Sequence, residues 1–70
     1  MIISYKPLKH LLIERNMSMN TLAKITGLSS ATIAKINKSA NINTEVLIRI
    51  CVALKCDLTD IMRLEENEEQ

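Results

Sequence analysis

Met19-Asn20-Thr21-Leu22-Ala23-Lys24-Ile25-Thr26-Gly27-Leu28-Ser29-Ser30-Ala31-Thr32-Ile33-Ala34-Lys35-Ile36-Asn37 is the stretch that decides how this chain folds. Apolar residues recur in it at helical spacing, and a single glycine divides it. The spacing predicts one short helix over Met19–Thr26 and a second from Ser30 to Asn37 or Lys38, with Ser18 and Ser29 as N-caps. Only Gly27-Leu28-Ser29 separates them, too tight a link for antiparallel packing, so the two helices must cross steeply. A steep crossing needs a small residue where the helices meet, and Ala23 provides it. It also needs a turn residue tolerant of positive φ, which is Gly27, and apolar anchors on both sides, which are Leu22, Leu28, Ile33 and Ile36.

Working outward, an earlier helix is expected from about Tyr5 to Arg15, with Ser4 as N-cap and Pro7 tolerated in the first turn. Leu8, Leu11, Leu12 and Arg15 share one face, the Arg15 stem lying over its edge. Downstream, Ser39-Ala40-Asn41-Ile42 reads as a loop and Asn43 as the cap of a helix over Thr44–Leu54. Its inward stripe is Leu47, Ile50, Cys51 and Leu54. After a turn at Lys55–Leu58, Thr59 is expected to cap a short fifth helix carrying Ile61, Met62 and Leu64. From Glu65 the composition favours a disordered end. The resulting division is an N-terminal segment 1–4, a helical domain 5–64 and an acidic tail 65–70. The fold class is all-α, a compact five-helix domain.

Composition limits what such a domain can do. Seventy residues make one small core, and with no Phe or Trp that core is aliphatic, Tyr5 being the sole aromatic residue. No apolar run reaches the roughly 18 residues of a membrane span, and the first residues do not read as a secretory signal. Cys51 and Cys56 match neither a redox nor a zinc spacing, and His10 is the single histidine. No metal and no cofactor are therefore expected, and the cysteines read as reduced thiols in a cytoplasmic protein. With no nucleophile–base pair and no Gly-rich phosphate loop, an enzyme is not expected. Charge is unevenly placed: residues 1–64 carry nine Lys and Arg against Glu14, Glu45, Asp57 and Asp60, a net +5, while four acids fall in the last six residues. A basic body suits a polyanionic partner.

Met17-Ser18-Met19-Asn20-Thr21-Leu22-Ala23-Lys24-Ile25-Thr26-Gly27-Leu28-Ser29 resembles the signature of the phage-repressor/Cro-type helix-turn-helix family. The runs Asn41–Leu47, Ile50–Leu54 and Leu58–Ile61 are similar to that family's fourth and fifth helices, so the resemblance covers about residues 5–64. Thr26 departs from the pattern, standing where an aliphatic residue is usual. The resemblance implies a lambda-repressor-like domain that binds operator DNA, usually as a homodimer, and regulates nearby genes, here most simply as a repressor. Base readout then falls to Ser30, Ala31, Thr32 and Lys35 on the helix entering the major groove. Phosphate contacts fall to Ser18, Asn20, Ser29, Lys38, Asn41 and Asn43, around helix N-termini that present free amides. With no Arg, Gln or Asn on the reading face before Asn37, specificity is expected to be moderate and to lean on DNA shape.

The partners expected are a double-stranded DNA operator and a second copy of the chain, with no membrane and no small-molecule ligand. Candidate dimer residues are Ile2, Ile3, Ile61, Met62 and Leu64. Some short members of the family dimerise through terminal strands, and by that analogy Ile2–Ser4 pairs with Arg63–Glu65 as a two-stranded ribbon. The fifth helix is the alternative surface, and Ile2 and Ile3 are as readily explained as a cover for the core. The rival function is an antitoxin-like or adaptor module that binds protein on the same fold.

Overall fold

The computed structural model describes residues 1–66. In chain order the elements are strand β1 (Ile2–Ser4), helices α1 (Lys6–Glu14), α2 (Met19–Thr26), α3 (Ser30–Asn37) and α4 (Thr44–Leu54), a 3-10 turn (Leu58–Asp60) and strand β2 (Arg63–Glu65). The two strands pair antiparallel with Ile2 opposite Glu65, Ile3 opposite Leu64 and Ser4 opposite Arg63. The fold is therefore four α-helices, not the five expected, closed by the Ile2–Ser4 and Arg63–Glu65 ribbon that the analogy with short family members gave.

Local chemistry explains where α2, α3 and α4 start. Ser18 Oγ accepts the Thr21 amide at 3.1 Å, Ser29 Oγ accepts the Thr32 amide at 3.2 Å, and Asn43 Oδ1 accepts the Glu45 amide at 2.8 Å. Each such cap contributes about 1 kcal/mol. Thr26, the residue that departs from the pattern, satisfies its hydroxyl by donating to the Leu22 carbonyl one turn back at 2.6 Å.

All four helices end by one device. A residue in the left-handed region, Asn16, Gly27, Ser39 or Lys55, turns the chain, with φ of 53°, 74°, 58° and 54° respectively. The next amide then reaches back five residues to a helix carbonyl: Met17 to Leu12, Leu28 to Ala23, Ala40 to Lys35 and Cys56 to Cys51, at 2.9–3.1 Å. These bonds satisfy carbonyls the helix leaves open. Only Gly27 adopts that conformation without the steric cost a Cβ brings, roughly 1–2 kcal/mol.

The core is Tyr5, Leu8, Leu12, Leu22, Ile36, Leu47, Ile50, Leu54 and Ile61, with Cys51, Ile33 and Leu28 packed against it. Arg15 Nη1 donates to the Leu54 carbonyl at 2.7 Å, setting a cation on the C-terminal end of α4. No helix among the described residues is long and apolar enough to cross a membrane.

Three expectations about the ends are corrected. Tyr5, not Ser4, holds the N-cap position of α1: Ser4 lies buried in β1, from where its Oγ accepts the Lys6 amide at 3.3 Å. Asp57, rather than Thr59, starts the segment after α4. Its carboxylate accepts the Leu58 amide and Asp60 reaches back to the Asp57 amide, a reciprocal cap that closes a single 3-10 turn. Leu64 and Glu65 belong to β2 rather than to a fifth helix and a tail. Arg63 donates twice to Glu65 Oε2, at 2.7 and 2.9 Å, and holds that carboxyl below its ordinary range, with Lys6 3.6 Å away. Residues 67–70 of the expected tail lie outside the described residues.

Candidate nucleic-acid interface

The crossing of α2 and α3 is built as the sequence requires, with Leu22 and Ile36 buried and Leu28 and Ile33 partly so. Burying that side turns Ser30, Ala31, Ala34, Lys35 and Lys38 outward. Alanine at 34 was absent from the sequence-derived candidates. It follows Ala31 by three residues and Ser30 by four, and that spacing was the available signal. Thr32 sits differently from its neighbours: half-buried, with its hydroxyl 3.1 Å from Ser29 Oγ and its amide bound to the same atom. It presents at most its methyl edge.

The exposed strip carries two cations and no acid. Among the described residues the ion pairs are Lys6–Glu65, Arg49–Glu45 and Arg63–Glu65, and none of them engages Lys24, Lys35 or Lys38. Three helix starts, those of α2, α3 and α4, carry the candidate phosphate-binding residues. Their first-turn amides have no intrahelical acceptor, and the caps at Ser18, Ser29 and Asn43 satisfy one amide each. Asn20 and Ser30 line one cleft between α2 and α3, together with Ala23, Lys24, Leu28 and Ile33. Asn41 lines another beside the ribbon, with Met1, Ile2, Ile3, Ser39, Ala40 and Leu64. The loop that carries Asn41 is held from below, because the Tyr5 hydroxyl donates to the Ala40 carbonyl at 2.9 Å. Glu45, in the first turn of α4, lies 3.8 Å from Arg49 one turn on.

The candidate dimer residues do not share one surface. Ile61 is fully buried in the core of its own chain, so it is not available to a second copy. Ile3 packs against the core and Met62 is half-buried, whereas Ile2 and Leu64 are exposed on the ribbon, at 38% and 65%.

Two short helices crossed through a glycine turn, the second with an outward cationic face, define a helix-turn-helix DNA-binding domain. The chain belongs to the Cro/C1-type HTH DNA-binding domain family, whose model matches residues 7–67. Among solved structures it is similar to the crystal structure of transcriptional regulator VanUg, Form II. That protein is 41% identical, with 93% of this chain and 88% of that one covered and a TM-score of 0.89. No protein with a curated description matches it.

Proposed function

We propose that this protein is a transcriptional regulator that binds operator DNA as a homodimer and represses by occupying sequence that polymerase needs. The observation that carries the proposal is the outward face of α3: small residues at Ser30, Ala31 and Ala34, cations at Lys35 and Lys38, and no acid. An α-helix of this profile fits a major groove about 12 Å wide. Ser30 and Lys35 reach base edges, with Lys35 donating to guanine O6 and N7. Ala31, Ala34 and the Thr32 methyl lie against thymine methyl groups. Ser18, Asn20, Ser29, Lys38, Asn41 and Asn43 hold the phosphates on either side and carry no sequence information themselves. The second copy meets the ribbon through Ile2 and Leu64, which gives two reading helices for half-sites one turn apart, roughly 34 Å.

The test is a fluorescence-anisotropy titration with random duplex at two salt concentrations, followed by selection of bound sequences from the same pool. Salt-sensitive binding that enriches a two-fold-symmetric sequence, and is abolished in Ser30→Glu/Lys35→Glu, is expected. No binding at low salt by a chain with native circular dichroism would instead favour the protein-binding module.

A further inference from the structure

The end of α4 carries chemistry that DNA recognition does not use. In the helix ends described above, the amide reaching back five residues joins Leu12 to Met17 in α1 and Ala23 to Leu28 in α2. Such a cap brings the two joined side chains together over the end of the helix. In α4 the joined residues are Cys51 and Cys56, with the Cys56 amide donating to the Cys51 carbonyl at 3.0 Å. Ordinary bond lengths then hold their α-carbons within about 7 Å, against the roughly 4.4–6.8 Å that a disulfide spans. Both cysteines are free thiols, both are half-buried, and both pack on the same core.

We propose that Cys51 and Cys56 form an oxidation site, at which a hydroperoxide converts the folded dithiol to an intrachain disulfide. The Cys51 thiolate attacks one peroxide oxygen and the O–O bond breaks, giving a sulfenic acid at Cys51 and hydroxide. The Cys56 sulfur then attacks the Cys51 sulfur. The S–S bond forms, and the sulfenic hydroxyl leaves as water with the Cys56 proton. In sum, two thiols and one hydrogen peroxide give one disulfide and two waters, two electrons passing from sulfur to oxygen.

The surroundings set the order and the resting state. Burial is the largest influence on both thiols and pushes each above its ordinary value, so without oxidant the pair rests as thiol. The neighbouring Cys56 side chain favours ionisation at Cys51, and the neighbouring Cys51 side chain opposes it at Cys56. Asp60 works against a thiolate at either sulfur and Asp57 against one at Cys51, while Arg15 favours one at Cys56. The closed loop spans six residues at the opposite end of α4 from Asn43, so the bond clamps the junction of α4 with the 3-10 turn.

The experiment uses the native chain with a small excess of hydrogen peroxide, quenched by alkylation and read by intact mass. Both thiols are expected to disappear together, in a monomer lighter by two hydrogen atoms, with dithiothreitol restoring both. Lys55 lies between the cysteines, so tryptic cleavage there separates two peptides that only the disulfide still joins. Cys51→Ser and Cys56→Ser each leave one thiol and form no intrachain link; Cys56→Ser is expected to give a sulfenic acid at Cys51 trapped by dimedone, and Cys51→Ser to react more slowly at Cys56. Cross-links between chains, stepwise conversion of each thiol to sulfinic acid, or a link that forms only in urea would overturn the proposal.

Discussion

Replacing Tyr5 by Phe keeps the buried ring and deletes one hydroxyl, the group that ties α1 to the loop before α4. The bond removed runs 2.9 Å to the Ala40 carbonyl. A neutral hydrogen bond of this kind is worth about 0.5–1.5 kcal/mol net, and stranding a fully buried acceptor costs about 1–3. Ala40 is only half-buried, so water reaches its carbonyl when the phenol is gone, and the expected loss is about 1 kcal/mol. For a domain this small that lowers Tm by roughly 4–8 °C, readable by circular dichroism melts at neutral pH. The same variant changes the alkaline limb. Burial pushes the Tyr5 phenol above its ordinary 10.0, the Ile42 backbone opposing. The folded chain therefore holds that proton more tightly than the unfolded chain does. Its contribution is complete below pH of about 10 and is lost as pH rises through the higher folded value. Tyr5→Phe is expected to melt lower at neutral pH and to lose less stability above pH 10 than the parent. An unchanged Tm, or an identical alkaline loss, would show that the phenol neither anchors the loop nor titrates as a buried group.

Gly27→Ala is expected to cost about 1–2 kcal/mol in denaturant melts, from left-handed backbone alone, since an added Cβ meets nothing within 4 Å; a much larger loss would reveal a clash the geometry lacks. Lys38→Ala is expected to make the slope of log K against log salt shallower by about 1 for each engaged protomer, and an unchanged slope would place Lys38 off the phosphates. Replacing thymine by uracil in the selected half-site removes one methyl and is expected to weaken binding about fourfold per contacted methyl, with the salt slope unchanged. Full affinity for the uracil duplex would take Ala31 and Ala34 out of base readout.

What the sequence disclosed was whatever is decided within a few residues. Ser18, Ser29 and Asn43 act on amides two or three positions away, and α2, α3 and α4 begin where those caps put them. The chain ends were harder to read, because residues far apart settle them. Ser4 has the chemistry of a cap, yet pairing with Arg63 across the ribbon holds it in a strand. Thr59 lost to Asp57 because a carboxylate answered by Asp60 makes two bonds where a hydroxyl makes one. Three of the four left-handed helix ends fall on Asn16, Ser39 and Lys55, residues that carry no glycine signal. At the candidate interface, the folded cap shows what the sequence does not, that the Thr32 hydroxyl pairs with Ser29 Oγ. Periodicity would have supplied Ala34 had it been followed one turn further.

The ribbon also bears on the order in which the molecule assembles. The helices and their caps are made from contacts within a few residues, which form early and quickly. Pairing Ile2 with Glu65 in an open chain would close nearly the whole described chain into a single loop, whereas packing Tyr5 and Ile61 into the core first brings the two strands within reach of each other. The helical body is thus formed before the ribbon docks, and changes confined to Leu64 hasten unfolding more than they slow folding. The same contacts open first in native-state hydrogen exchange, so the Ile3 and Leu64 amides exchange ahead of those in α4.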